Sequence, residues 1–116
     1  MGGDHGPAVA APGVALAIER LGSNAPRFVL HGDEARIKAE LAKLPAAAAL
    51  CDVRHTDKVI ASHDKAAHAL RRGKGSSLWN CVESVREGEA RAAVSSGNTG
   101  ALMAISKLQL RMMAGL

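Results

Sequence analysis

Short apolar runs alternate along this chain with segments whose apolar residues recur at helical spacing. The predicted strands are brief and apolar and cover residues 27–31, 50–54 and 92–95. The predicted helices cover residues 9–21, 34–44, 77–87 and 99 to about 113. Strands that alternate with helices are typical of a parallel sheet covered by helices, so we expect an α/β fold.

Glycine, proline and capping residues mark the ends of these segments. Gly22 is the expected end of the first helix, because glycine readily adopts the left-handed conformation that closes helices. Asp33 is the predicted N-cap of the second helix, and Pro45 marks its expected end. Either Ser76 or Ser77 can cap the third helix.

The stretch 57–72 and the two ends of the chain fit this alternation less well. Residues 57–72 have a mixed pattern, in which Val59 and Ile60 suit a short helical turn. The chain opens in a glycine-rich loop, without a preceding strand, and it stops just after a predicted helix. Because a parallel sheet needs cover on both faces, we expect residues 1–116 to be an incomplete portion of a domain.

Composition limits the class of protein. Hydrophobic residues make up 47% of the chain, but Phe28 and Trp79 are its only aromatic residues, so the core is built from small side chains. No apolar run approaches the roughly 20 residues of a membrane helix, and no signal peptide opens the chain. Cys51 and Cys81 stand alone, which predicts reduced thiols in a cytoplasmic protein.

The formal net charge of +4 favours anionic partners. The basic residues are scattered, except for Arg71, Arg72 and Lys74. Tyrosine is absent, so the chain has almost no aromatic surface on which bases could stack. We therefore expect no nucleic-acid partner.

The segment Ser95-Ser96-Gly97-Asn98-Thr99-Gly100 joins a predicted strand to a predicted helix. A helix N-terminus has unpaired backbone N–H groups and a dipole that favours negative charge. The glycines allow close backbone approach, and the serine, asparagine and threonine side chains add donors. The turn therefore suits an anion such as phosphate. The alternative is an ordinary turn with Thr99 as N-cap.

Two further segments are candidate parts of a binding site. The first is the opening loop, where Gly2, Gly3 and Gly6 allow a tight backbone and Asp4 or His5 can face a pocket. Its alternative is a plain connection.

The second segment is the basic loop 71–77, where Arg71 precedes a helix that begins near Ser76 and Ser77. A guanidinium group beside a helix N-terminus forms a second candidate anion site. A solvated basic loop is the alternative.

The sequence gives no sign of metal or covalent chemistry. His63 and His68 are five residues apart, so they do not share a helix face, and no HExxH or Cys-His pair occurs. There is no Gly-x-Ser-x-Gly turn, and Cys51 lies inside an apolar run. We expect no metal and no cofactor, and we assign no catalytic residue.

These motifs, in this order, resemble the N-terminal part of the bacterial phosphate acyltransferase (PlsX) family over the whole chain. The matching stretches are residues 1–7, 57–60, 69–72 with Ser76 and Ser77, and 94–102. Members of the family usually have Ser-Ala-Gly-Asn-Thr-Gly where this chain has Ser-Ser-Gly-Asn-Thr-Gly. They are also much longer. By this resemblance the chain is the N-terminal portion of a single domain, without the first strand and the C-terminal half.

The resemblance implies a layered parallel-sheet fold similar to isopropylmalate dehydrogenases and phosphotransacetylases. It implies that inorganic phosphate attacks the thioester of acyl-ACP, giving acyl phosphate and ACP for phospholipid synthesis. No metal or nucleotide is expected. Members are usually homodimers that are cytoplasmic, work at the inner face of the membrane and supply a glycerol-3-phosphate acyltransferase.

The residues expected to bind phosphate or acyl phosphate come from all three segments. They are Gly3, Asp4, His5, Arg71, Ser76, Ser77, Ser95, Ser96, Gly97, Asn98, Thr99 and Gly100. Two other functions remain open at this point. One is a dehydrogenase on the same type of fold, and the other is a non-catalytic phosphate-binding or dimerisation fragment.

Overall fold

A computed structural model describes residues 6–61, 64–95 and 97–110. It contains six α-helices and two strands in those ranges. In chain order they are α1 (Pro7–Leu21), β1 (Phe28–Gly32), α2 (Glu34–Leu41), α3 (Pro45–Ala48), β2 (Cys51–His55), α4 (Ala66–Arg72), α5 (Ser77–Arg86) and α6 (Thr99–Leu110). The predicted α/β class is confirmed.

The two strands are parallel, with Phe28 opposite Cys51 and Gly32 opposite His55. Helices cover both faces of this small sheet, as parallel strands require. On one face, Phe28 and Leu30 of β1 pack with Ile37 of α2 and Ala11 of α1. On the other face, α5 packs against β1.

A second apolar cluster lies away from the sheet, among the later helices. It joins α4, α5 and α6 and consists of Ile60, Ala69, Leu78, Val82, Ala101 and Ile105, with Trp79 and Leu102 at its edge. Three of its six buried members are smaller than leucine. The small side chains predicted to form the core therefore do so. No helix in the described ranges is long and apolar enough to cross a bilayer.

Three residues at helix ends have the roles that the sequence predicted. Gly22 follows α1 with φ of 57°, a conformation that side chains other than glycine rarely adopt. The carboxylate of Asp33 caps α2 by accepting a hydrogen bond from the Arg36 amide. The Ser76 hydroxyl caps α5 by accepting from the Trp79 amide.

Two predictions, for the mixed central stretch and for Pro45, are wrong. Val59 and Ile60 do not form a helical turn, and the helix in this stretch is α4, at 66–72. Pro45 begins the short helix α3 instead of ending α2, because proline is well suited to the first turn of a helix.

The predicted third strand, at 92–95, is also wrong. These residues form no ladder in the described part of the chain, and the Val94 side chain is 91% exposed. A strand needs a neighbour to bond its N–H and C=O groups, whereas β1 and β2 bond to each other. Three small residues, two of them alanines, offer too little apolar area to hold the segment against the helices.

The sequence predicts that Leu102, Ile105 and Leu108 form the apolar face of α6. Ile105 is buried and Leu102 packs at the edge of the second cluster, but Leu108 is 60% exposed. Ala101 and Gln109 are the other buried positions of the helix. The helix was predicted to reach about residue 113, and residues 111–113 lie outside the described ranges.

Candidate functional site

The segment after β2, residues 56–61, connects the candidate motifs, and we call it the connector. Thr56 continues the sheet, because its amide donates to the Gly32 carbonyl at 2.9 Å. Its hydroxyl donates to the Gly75 carbonyl at 2.7 Å. The connector carbonyl of Lys58 accepts a hydrogen bond from the Ser77 amide at 2.9 Å. The carboxyl end of the sheet is thereby joined to the start of α5.

The connector also holds the start of α6, through the side chain of Asn98. The Asn98 amide group donates to the carbonyl of Ala61, at 3.0 Å, and to the carbonyl of Asp64. Its Oδ1 accepts from the Ala101 amide at 3.0 Å. Asn98 is 8% exposed, and all of these contacts are internal. Asn98 is thus the N-cap of α6, whereas the alternative interpretation of the turn had assigned that role to Thr99.

The three helices capped by side chains differ in how their first amide is used. In α2, the Glu34 amide donates to His55 Nδ1 at 3.1 Å. In α5, the Ser77 amide donates to the Lys58 carbonyl. In α6, no described residue accepts from the amides of Thr99 or Gly100. The start of α6 therefore has two adjacent N–H groups without an acceptor among the described residues.

Gly97 and Gly100, the two glycines of the turn before α6, differ in their contacts. The Gly97 amide donates to the Ser95 hydroxyl at 3.1 Å, which folds the turn on itself. A Cβ added at Gly100 would lie 3.5 Å from Asn98 Oδ1 and 3.7 Å from Ala66 Cβ, both ordinary contacts. Internal packing therefore leaves room for a side chain at 100.

The residues of the basic loop that were predicted to bind phosphate differ in their exposure to solvent. Arg71 is exposed at the end of α4, and its Nε donates to the Ala67 carbonyl at 3.4 Å. Ser76 and Ser77 are 0% and 1% exposed, and the Ser76 hydroxyl is engaged as the α5 cap. Neither serine is at the surface of this chain. Gly3, Asp4, His5 and Ser96 lie outside the described residues.

A recess of about 170 Å³ lies beside the connector and was not predicted from the sequence. Its lining includes Lys58, His68 and Arg72, with Val59 and Ile60 as apolar wall. Asp64 also lines it, which places the recess next to the residue whose carbonyl binds Asn98. Only the basic loop gave a sequence signal for this feature, because α4 was not predicted.

A second recess, of about 330 Å³, opens at the carboxyl end of the strands and is lined by His31, Arg54, Ser84 and five other polar residues. His31 Nε2 lies 3.0 Å from the Ser84 hydroxyl, which is also 3.0 Å from the Asn80 carbonyl. Burial is the main cause that lowers the pKa of His31, and the nearby Arg54 lowers it further. Both effects favour the neutral form of the imidazole.

The described residues offer no metal site and no activated thiol. No group of three histidine, cysteine, aspartate or glutamate side chains is suitably placed for a metal in those ranges. Cys51 and Cys81 are free, and burial raises the pKa of both thiols. A raised pKa favours the thiol over the nucleophilic thiolate.

Comparison with known proteins gives one consistent result. A family model described as "Fatty acid synthesis protein" matches residues 1–116. A protein of Caulobacter vibrioides named phosphate acyltransferase is 63% identical over the whole chain, which covers 32% of that protein. Proteins of the same name in Phenylobacterium zucineum and Azorhizobium caulinodans are 58% and 52% identical, again over the whole chain. The chain spans about a third of the length of these curated relatives.

Proposed function

Because this chain belongs to the fatty acid synthesis protein family, as its motifs predicted, we propose that it is part of a phosphate acyltransferase. An oxygen of inorganic phosphate attacks the carbonyl carbon of an acyl-ACP thioester. The carbon–sulfur bond breaks, and the products are acyl phosphate and the ACP thiol. The relatives' printed name supports the acyl transfer to phosphate.

The observation that carries this proposal is the pair of amides at the start of α6 from which no described residue accepts a hydrogen bond. Thr99 and Gly100 present N–H groups at the positive end of a twelve-residue helix. Glycine at 100 suits close approach by a ligand, since internal packing does not require it. The Asn98 side chain fixes the orientation of both amides by joining the helix to the connector. A phosphate held there would be oriented without any reorganisation of the protein.

The remaining predicted residues keep a place in the proposal. Arg71 is an exposed cation that can approach a bound anion, and Ser95 and Gly97 precede the start of α6. Ser76 and Ser77 would act from beneath the site. Gly3, Asp4, His5 and Ser96 complete the proposed set of phosphate or acyl-phosphate ligands. No general base is assigned.

The wider setting is proposed on the same basis. Residues 1–116 would be the N-terminal portion of one layered α/β domain of the phosphotransacetylase and isopropylmalate dehydrogenase type. The two parallel strands and the helices on both faces support that arrangement. We further propose a homodimer that works in the cytoplasm at the membrane surface and supplies a glycerol-3-phosphate acyltransferase.

A chimeric enzyme tests the function. Residues 1–116 would replace the matching third of the Caulobacter vibrioides phosphate acyltransferase, and hydroxylamine would trap acyl phosphate formed from acyl-ACP and phosphate. Turnover is expected. A folded chimera that forms no acyl hydroxamate, beside an active Caulobacter enzyme, would refute the assignment.

The variant Thr99→Pro tests the amide directly. Proline is favoured at the first position of a helix, and it removes the N–H group together with the threonine hydroxyl. Losing one donor to an anion costs about 1.5–3 kcal/mol, so KM for phosphate should rise roughly 10-fold to 100-fold. Thr99→Ala is the matched control, because it loses the hydroxyl but keeps the amide. An unchanged KM in Thr99→Pro would rule out the amide as a ligand.

A further inference from the structure

The excess positive charge of this chain comes from one stretch. Between Asp57 and Glu83 the sequence has five lysines and arginines and a single carboxylate, that of Asp64. The difference of four equals the formal net charge of +4 for the whole chain, so all other cations and anions balance. A concentrated charge attracts an oppositely charged partner more effectively than a scattered one.

The cations of this stretch also differ from the others in their partners. Elsewhere, five basic residues form ion pairs with carboxylates: Arg27, Lys38, Lys43, Arg54 and Arg86. None of the five cations between residues 57 and 83 forms an ion pair with a described residue. All five are exposed. Their charge is therefore not neutralised within the described structure.

Most of these cations lie on one surface. His68 and Arg72 are four residues apart in α4, which places them on one side of the helix, and Lys65 immediately precedes it. Lys58, His68 and Arg72 line the recess beside the connector. The Lys58 ammonium group donates to the Lys74 carbonyl at 2.8 Å, which brings Lys74 to the same place. We call these five residues the basic face.

The basic face adjoins the candidate phosphate turn. Asp64 lines the recess, and its backbone carbonyl accepts a hydrogen bond from the Asn98 side chain. One side of this residue therefore faces the recess while the other is joined to the start of α6. A partner seated on the basic face would reach the proposed phosphate with a short flexible arm.

We propose that the basic face is the docking surface for the acidic carrier protein that brings the acyl thioester. This inference rests on the proposed function, which requires such a partner at the α6 turn. Complementary charge speeds the encounter and orients the carrier, and the Val59 wall of the recess adds an apolar contact.

Two other anionic partners fit this surface less well. Nucleic acid would need aromatic residues for stacking, but Phe28 and Trp79 are half-buried and belong to the two apolar clusters. An anionic membrane would need a row of protruding apolar residues beside the cations, whereas the exposed large apolar residues described between 57 and 83 are Val59 and Leu70 alone.

A charge-neutralised variant of the 116-residue chain tests the docking surface. The triple substitution Lys65→Gln, Arg72→Gln and Lys74→Gln removes three charges and keeps the helix propensity of α4. Binding of a dye-labelled acyl carrier protein would be followed by fluorescence anisotropy at low and at physiological salt. We expect about a tenfold loss of affinity and a weaker salt dependence.

The matched control removes the same number of charges elsewhere. Arg20, Arg36 and Lys107 are exposed and make no ion pair with a described residue, so their triple change to glutamine lowers the net charge equally. This control should lose less than about twofold in affinity. Circular dichroism melts would establish that both variants are folded.

The outcomes separate docking from the proposed function. Equal losses in the two triple variants, or no carrier binding by the unmodified folded chain, would overturn the docking surface. Tighter binding of phosphatidylglycerol vesicles or of single-stranded DNA than of the carrier would also overturn the docking surface, provided that the triple substitution in the basic face abolishes that binding. A chimera that makes no acyl phosphate, while carrier binding still depends on the basic face, would refute the proposed function alone.

Discussion

Asn98 offers the sharpest test of how this structure holds its candidate site. Its side chain accepts one hydrogen bond from the Ala101 amide and donates to the carbonyls of Ala61 and Asp64. An aspartate at 98 keeps the acceptor but has no N–H group to donate. It also places a negative carboxylate against two carbonyl oxygens. Asn98→Asp thus removes the link to the connector while preserving the helix cap.

The expected loss follows from these contacts. Each part-buried carbonyl that loses its donor costs about 1 kcal/mol, and the repulsion adds to that cost. We expect Asn98→Asp to lower the free energy of unfolding by about 2–3 kcal/mol at pH 7. A domain of this size has only about 5–15 kcal/mol in total. Asn98→Ala, which also loses the cap worth about 0.5–2 kcal/mol, should lose roughly 2–4 kcal/mol.

Urea denaturation followed by circular dichroism measures both losses. The folded state favours the protonated carboxyl at 98, so the stability of Asn98→Asp should recover as the pH falls towards about 4. Asp33→Asn is the matched control, because the Asp33 side chain only accepts from the Arg36 amide. It should change stability by less than about 0.5 kcal/mol. An Asn98→Asp protein as stable as the unmodified chain at pH 7 would refute the role given to the two carbonyl contacts.

Two further predictions concern the sheet and α4. Burial lowers the pKa of His31, so the unfolded chain binds the proton more readily and stability falls as the pH drops below about 6.5. His31→Gln should flatten that part of the stability profile, measured by urea denaturation between pH 5 and 8, and an unchanged slope would contradict this. A Cβ at Gly73 would overlap the Ala69 carbonyl oxygen, so Gly73→Ala should cost about 1–3 kcal/mol. Gly13→Ala, in open space within α1, should instead stabilise by about 0.5–1 kcal/mol, and equal thermal shifts in the two variants would refute the packing argument.

The sequence predicted correctly those helix ends that depend on hydrogen bonds and backbone conformation within a few residues. Asp33 caps α2 because a carboxylate one residue before a helix can accept from its third amide, whatever the rest of the chain does. Gly22 ends α1 for a similarly local reason. The apolar run of β1 reflects burial between helices on the two faces of the sheet. In β2 only Cys51 and Val53 pack against the helices, and its other residues are exposed.

The errors occur where a partner distant in sequence decides the conformation. Ala92 to Ser95 have the composition of a strand, but no described strand bonds to them and Val94 stays exposed. Helix α4 was missed because its seven residues contain two arginines, a histidine and only one large apolar residue, Leu70. It is held instead by Ala69, which packs in the cluster with α5 and α6. No pattern within 66–72 encodes that contact.

In the candidate site, too, contacts between residues distant in sequence decide the outcome. They distinguish the two predicted anion sites, at the starts of α5 and α6. From the sequence, the starts of α5 and α6 look equivalent, since each follows a polar turn that can cap a helix. In the structure the first amide of α5, that of Ser77, is bonded to Lys58, whereas no described residue accepts from Thr99. An anion at α5 would have to displace a backbone hydrogen bond that joins the helix to the connector, at a cost of about 1 kcal/mol or more. At α6 an anion would meet two amides from which no described residue accepts. Phosphate should therefore bind first at Thr99 and Gly100, with the basic loop acting through charge at longer range.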